Sequence, residues 1–453
     1  MHVVVLVPGI MGSRLALNGT EVWPPTAGEF VFGYDRLPEL MTTGVIATDL
    51  IREASCVNVY DSLIDRLHKW GFHESAAGGT RGRLICWPYD WRIDVRDSAG
   101  VLSSRLRDLV AEIGADTRIS LLVHSMGGLV ARYALEVLDA PRLGNTTWRS
   151  KVDLVVTLAT PHRGAPLALV RALGQEGSTG VSPADIRTFS SDPRYPSVYQ
   201  LLPPANANAF WATGGAPNSL PSINVLDDVV ATALGLDLKN IAAARDVYQA
   251  LDSGTRPNCR YFNFIGRTLD TVVRCDFRSP TAVTSTSFSS GGDGTVPIWS
   301  GTQQGTQFDL EGEEHSHTFH DPKVLATLGP LLGVPAAIVM AMAAPASPLQ
   351  IRLPSQVFSA RVNVRITAIA HGIPSRPLEI AIHQTDENGV LAETPTSVTP
   401  VGMTPPSGDL TAIVELALPA RPGWYAAVLR TARAADAPQI QSDGERFAVQ
   451  RVR

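Results

Sequence analysis

In the N-terminal part of the chain, short continuous apolar runs alternate with segments whose apolar positions recur every three or four residues. Val3–Val7, Leu84–Trp87, Ile119–Val123, Val152–Leu158, Arg260–Ile265 and Thr306–Leu310 read as strands. Between them, Tyr60, Leu63, Ile64 and Leu67 share one helical face. Leu102, Leu106, Leu109, Val110 and Ile113 share another, in a helix predicted over Val101–Ile113. A further helix follows Val123 over Leu129–Leu138, and a last one begins at Pro322. Apolar strands separated by helices predict an α/β architecture: a largely parallel sheet covered on both faces.

Two stretches break this rhythm. Gly164 to about Pro257 is rich in Pro, Ser, Ala and Gly, and an insertion of that length between sheet strands reads as a cap or lid over about 165–257. Gly19–Leu40 carries Trp23, Phe30, Phe32 and Tyr34 among Pro and Gly. Two destinations suit these aromatics equally: contact with a lipid surface, or burial beneath the cap. Beyond Pro348 the period changes to two, with Val362, Val364 and Ile366 in one segment and Leu378, Ile380 and Ile382 in another. Asp386–Gly389 reads as a turn, and Leu410–Leu418, Trp424–Leu429 and Arg446–Val452 as further strands. This texture predicts a small immunoglobulin-like β-sandwich over 349–453. In Pro422-Gly-Trp-Tyr425 the tyrosine is placed to bond back to the main chain. The expected division is a first unit over 1–335, a linker over 336–348 and the sandwich. The sandwich carries no catalytic constellation and reads as an accessory module for binding or packing, protein contacts included.

Length supports that division, since 453 residues exceed what one core usually organises. With 38 basic against 43 acidic residues the net charge is −5 and no basic run is present, which argues against a nucleic-acid partner. The four cysteines, Cys56, Cys86, Cys259 and Cys275, are too few for a disulfide scaffold and lack zinc spacing; free thiols are expected. No basic leader precedes the first strand, which points to a cytoplasmic protein, a secreted mature form being the alternative. Leu325–Ile351 contains no charged residue, but its glycines and prolines favour a last helix and an apolar linker over a membrane span.

The chemistry concentrates where the Ile119–Val123 strand meets its helix. In Val123-His-Ser-Met-Gly-Gly128, Ser125 sits on a sharp strand-to-helix turn, with helix N–H groups facing any charge that develops beside it. The usual pattern has glycine where this chain has Val123. A serine nucleophile needs a base and a carboxylate, which in this architecture follow in the order Ser, Asp, His. Asp293, in Gly291-Gly-Asp-Gly-Thr-Val-Pro297, supplies the acid. Glu314-His-Ser-His-Thr-Phe-His-Asp321 offers three bases. His315 leaves a loop before the next helix and is favoured, His317 is the rival, and His320 lies beside an expected Asp321 cap. Oxyanion donors are expected at the Met126 N–H and, from the loop Pro8–Ser13, at Ile10, with Met11 the second candidate there. No metal or organic cofactor is called for.

Six blocks in order carry a resemblance: Val7-Pro-Gly-Ile-Met-Gly-Ser-Arg-Leu15, Pro88-Tyr-Asp-Trp-Arg92, His124–Gly128, Thr160-Pro-His-Arg-Gly164, Tyr199-Gln-Leu-Leu-Pro203 and Gly292–Pro297. Together they resemble the lecithin:cholesterol acyltransferase family, over Val3 to about Leu332. The resemblance implies an α/β-hydrolase fold and an acyl-serine intermediate at Ser125, with Asp293 and His315 as its partners and Ile10 and Met126 as oxyanion donors. It also implies a lipid ester substrate, a phospholipid foremost, engaged by the cap and by an aromatic segment that here holds Trp23, Phe30 and Phe32. The family's animal members carry a disulfide near that segment, where this chain has only Cys56. The β-sandwich lies outside the family pattern. A carboxylesterase for small soluble esters and a binding protein on an inactive scaffold are the competing expectations.

Overall fold

The computed structural model describes every residue except 55–56, 139, 214–221, 280–281, 311–313, 343–346, 387–388, 434–437 and 452–453. Seven parallel strands form the central sheet: β1 (His2–Val7), β2 (Phe72–His73), β3 (Gly82–Cys86), β4 (Arg118–His124), β5 (Val152–Leu158), β6 (Arg260–Gly266) and β7 (Thr306–Leu310). They lie in the order β7-β6-β5-β4-β1-β3-β2. Side chains alternate across the pleat, so each strand feeds two cores. Val3, Val5, Val7, Leu121, Val123 and Val155 enter one, while Val4, Leu6, Leu84, Leu122, Val156 and Phe264 enter the other. The chain steps from β1 to β3 on one side and then crosses to β4 on the other. That reversal opens a crevice outside the carboxyl ends of β1 and β4, where α/β sheets place their sites.

Helices α1 (Ala27–Phe32), α2 (Asp61–Lys69), α3 (Val95–Ile113), α4 (Met126–Glu136) and α5 (Pro322–Leu331) accompany the sheet. The third begins six residues earlier than its apolar face predicts, because the Asp94 carboxylate accepts the Arg96 N–H and caps it there. Asp321 caps α5 in the same way, accepting the Lys323 N–H at 2.7 Å. The insertion over 165–257 is mostly helical, its longest helix being Leu238–Asp252. The apolar pattern does not predict the hairpin Leu269–Ser279/Ala282–Gly292, which pairs with Phe210–Ala212 and delivers the chain to the Asp293 loop.

In the C-terminal region, Leu349–Arg352, Asn363–Ala370 and Leu410–Ala417 form one sheet. Val357–Ser359, Pro377–Gln384, Ser397–Met403, Gly423–Thr431 and Glu445–Gln450 form a second. Ile351, Ile366, Ile380, Ile382, Leu416, Leu429 and Phe447 share the core of this strand-rich region. Tyr425 donates its hydroxyl to the Arg421 carbonyl at 2.9 Å, the main-chain bond its position predicts. Residues Ala336–Met342, expected as linker, form a short helix whose Val339 packs onto Gly329 beside Trp70. No helix among the described residues is long and apolar enough to cross a membrane. Cys86, Cys259 and Cys275 are free thiols, while Cys56, residues 387–388 of the expected turn and Val452 lie outside the described residues.

The two parts meet over α1. Phe30 packs edge-on against Trp424 with ring centroids 5.5 Å apart, and the Trp424 indole N–H donates to the Ala27 carbonyl. The Arg451 N–H donates to the Val31 carbonyl, and the Gln450 amide donates to Gly180 in the cap.

Candidate active site

Strand β4 ends at His124 and helix α4 starts at Met126, leaving one residue for the turn. Ser125 makes it with φ 51° and ψ −128°, a backbone that non-glycine residues rarely adopt. The turn is held by the Ser125 N–H donating to the Leu158 carbonyl and the Gly128 N–H donating to the Ser125 carbonyl, both at 2.9 Å. Glycines permit the close approach behind it. A Cβ at position 127 would sit 2.3 Å from the Pro8 carbonyl oxygen, and one at 128 would sit 2.2 Å from Thr160 Oγ1. Val123, in place of the usual glycine, points into the core and away from this contact.

His315 and Asp293 complete the arrangement from two later loops. His315 Nε2 lies 2.8 Å from Ser125 Oγ, and His315 Nδ1 lies 2.9 Å from Asp293 Oδ2. The Thr295 and Val296 N–H groups donate to the other oxygen of Asp293, so the carboxylate is aimed by its own loop. The His315 N–H donates to the Asp293 carbonyl, joining the two loops through the backbone as well. Burial opposes a charge on His315, but the Asp293 carboxylate, by its charge and its hydrogen bond, more than offsets this and raises the imidazole above its ordinary value. Ser125 is only 5% exposed, so the arrangement is shielded from solvent.

His317 does not reach Ser125. Its ring faces Glu314 at 3.3 Å and Gln356 of the C-terminal region. His320 packs against Phe319 and His317, and burial pushes it down to about 3.

The Pro8–Ser13 loop folds back through a Gly12 N–H to Gly9 carbonyl bond, with Met11 at φ 62°, the pattern of a type II turn. It lies directly on Ser125, since a Cβ at Gly9 would be 2.8 Å from that of Ser125. Ile10 is thereby placed beside Ser125, and Met126, as the first helical residue, has an N–H without an intrahelical acceptor.

The aromatic segment departs from the lipid-contact expectation. Trp23 is 0% exposed and Phe30 2%; only Phe32, at 63%, faces outward. Trp23 donates its indole N–H to the Met11 carbonyl and packs on Trp91, so it buttresses the Gly9–Gly12 turn. Phe30 is covered by Trp424, a partner nearly four hundred residues away that no local pattern points to. Sequence reasoning also passes over Tyr60 and His124, which join this site from the N-cap of α2 and the end of β4. His124 stands in the serine motif itself, and Tyr60 reads in sequence only as part of a helix face.

A parallel sheet carrying a strained serine at a strand-to-helix turn, with a histidine and an aspartate on later loops, is an α/β-hydrolase fold. The family model for lecithin:cholesterol acyltransferase matches residues 42–233, which include Ser125. A GPI inositol-deacylase of Cryptococcus neoformans var. neoformans serotype D is 46% identical over 55 residues, 12% of this chain and 6% of that protein's length. Among solved structures, the mature Bacillus licheniformis lipase BlEst2 is 16% identical over 73% of this chain and 91% of its own, with a TM-score of 0.34. Phospholipase PlaB from Legionella pneumophila, in complex with thio-NAD, is 12% identical over 100% of this chain and 92% of its own, with a TM-score of 0.26. Over residues 42–233 the chain is thus similar to the lecithin:cholesterol acyltransferase family, and its fold is that of an α/β-hydrolase.

Proposed function

We propose that this protein is a serine acyl hydrolase or acyltransferase acting on lipid esters, with glycerophospholipids the first class to test. The observation that carries the reading is the continuous hydrogen-bond line from Ser125 Oγ through His315 to Asp293. Ser125 Oγ attacks the acyl carbonyl while His315 Nε2 takes its proton, and Asp293 holds the imidazolium that forms. The carbonyl oxygen gains charge facing the N–H groups of Ile10 and Met126. Collapse expels the alcohol, which leaves with the proton from His315, and an acyl-serine remains. Water or an acceptor alcohol then attacks, again giving its proton to His315, and Ser125 is released. The lipid assignment is supported by the description of the matching family, lecithin:cholesterol acyltransferase, and by the name of the short match, a GPI inositol-deacylase.

The test is mass spectrometry of mixed phospholipid vesicles incubated with the protein, a long-chain alcohol added, alongside Ser125→Ala. Free fatty acid or acylated alcohol that disappears in the variant is the expected result, and the product tells which acceptor is used. Activity confined to small soluble esters would move the assignment to a carboxylesterase. Equal product from both proteins would remove Ser125 from the chemistry.

A further inference from the structure

Two buried side chains at the site take no part in the steps above. The Gly9 N–H donates to Tyr60 Oη at 2.9 Å, Tyr60 Oη lies 2.7 Å from His124 Nδ1, and His124 Nε2 lies 2.9 Å from the His315 carbonyl oxygen. The two ends of this chain, with a neutral His124 between them, fix the protons within it. A carbonyl only accepts, so His124 Nε2 carries hydrogen. Burial first, and then the neighbouring His315 charge, push the His124 imidazole down to about 3, so it is neutral and Nδ1 is bare. Tyr60 must therefore donate to Nδ1, which leaves its oxygen to accept from Gly9. For a neutral His124 no other assignment satisfies all three contacts.

What the chain joins gives it meaning. Gly9 begins the turn that holds Ile10 over Ser125, His124 is bonded directly to Ser125, and the accepting carbonyl belongs to the base. These three segments leave different strands, and β7, which precedes the base, is three places from β4 in the sheet. Pairing of β1 with β4 sets the spacing of the first two segments, but the strand ladder does not set the spacing of the base from either. The rings reinforce the line: Phe319 stacks on Tyr60 at 5.4 Å and meets His124 edge-on at 5.7 Å. Thr318 Oγ1 donates to the same His315 carbonyl at 3.1 Å, so the acceptor is held from two sides.

We propose that Tyr60 and His124 form a positioning relay that holds the oxyanion turn, the nucleophile and the base in register. The inference rests on the acyl-serine reading given above. A neutral ring suits the task. The His124 and His315 ring centroids are 5.1 Å apart, and a second cation there would oppose the imidazolium that forms when Ser125 attacks. By staying neutral His124 keeps its donor throughout the cycle. The expected signature is a loss in turnover with little change in apparent substrate binding, because the relay touches no substrate.

The experiment is steady-state hydrolysis of p-nitrophenyl butyrate by the full chain and by His124→Leu, His124→Gln, Tyr60→Phe and Ser125→Ala. His124→Leu removes the donor while keeping bulk and should lower kcat about 10- to 100-fold, with KM within about twofold. His124→Gln places an amide N–H near the position of Nε2 and should recover most of that loss. Adding Tyr60→Phe to His124→Leu should cost little more, since both break one line. A kcat within about twofold of the parent in His124→Leu overturns the relay, as does a His124→Gln protein no faster than His124→Leu. Should His124→Leu fail to fold, Tyr60→Phe decides: a loss of about tenfold in kcat alone supports the relay, and unchanged kcat overturns it. Hydrolysis that survives Ser125→Ala would instead sink the acyl-serine reading itself. Ser125-dependent hydrolysis at full rate in His124→Leu sinks the relay alone.

Discussion

The loop that carries Ser125 and the aromatic loop between Gly19 and Leu40 lie close together, yet they are held in opposite ways. Around Ser125 the restraints are short polar contacts from within the hydrolase part: Leu158, Gly128, His315 and, behind His315, Asp293. At α1 a Thr26–Glu29 capping box gives local support, and further support arrives from the far end of the chain, where Trp424 packs on Phe30 and donates to Ala27 and the Arg451 N–H donates to Val31. Hydrogen bonds fail with small displacements, whereas apolar contact is spread over area. The geometry around Ser125 is thus set within the first part of the chain, while Phe30 and α1 depend in part on the C-terminal region. Damage to the first should therefore appear in turnover, and damage to the second in stability.

The largest expected effect is that of Asp293→Asn. It keeps the loop but removes the charge that orients and stabilises the His315 imidazolium, and it should lower kcat by about 10³- to 10⁴-fold, measured on a soluble ester. A loss below about tenfold would break the local half of the comparison. Trp424→Ala should cost about 3–5 kcal/mol in urea-induced unfolding, because it empties a buried site at the seam. At low urea its kcat should stay within a few-fold of the parent. A turnover loss like that of Asp293→Asn would show that the seam governs chemistry after all.

The pH dependences sharpen the same contrast. His315 must be neutral to accept the serine proton, and its value is raised, so kcat/KM should climb as pH rises through a midpoint above the ordinary histidine value of about 6.5. An acidic limb well below that value would contradict the Asp293 pairing. Stability should run on different groups. Burial, the dominant cause for each, lowers His124 and His320 to about 3 and His2 to about 4. The unfolded chain takes up protons at these histidines near 6.5 while the folded chain does not, so their contribution is complete above about 6.5 and is lost as pH falls toward 3–4. His315 works in the other direction: its pairing contributes fully below about 6.5 and fades as pH rises through its raised folded value. With three groups against one, the melting temperature should fall between about pH 7 and pH 5, the smallest effect of the set. A constant melting temperature over that interval would contradict the burial argument.

How much is legible in the sequence follows the same divide between local and distant. The strands announce themselves by continuous apolar runs, and the Ser125 turn by a short motif set between its own strand and helix. Asp293 is readable from its glycine-rich loop, and His315 because it follows the apolar strand β7. Choosing His315 over His317 needs coordinates, since two histidines two residues apart in a tight turn point in different directions. Trp23 and Phe30 cannot be placed from sequence, because nothing near them tells of Trp424. The hairpin before Asp293 escapes the apolar pattern because Thr, Ser and charged residues dominate it, and its pairing with Phe210–Ala212 joins the cap to a distant segment. His124 is in plain view within the motif, yet its partners on α2 and beside α5 are visible only in space.

The central claim is that Ser125 is the nucleophile, and covalent trapping tests it most directly. The protein is treated with a fluorophosphonate, and its mass and peptide map are compared with those of Ser125→Ala. The account predicts one adduct, on the peptide bearing Ser125, absent from the variant and formed far more slowly in Asp293→Asn. No adduct on the parent protein, or an adduct of equal yield on Ser125→Ala, would contradict it.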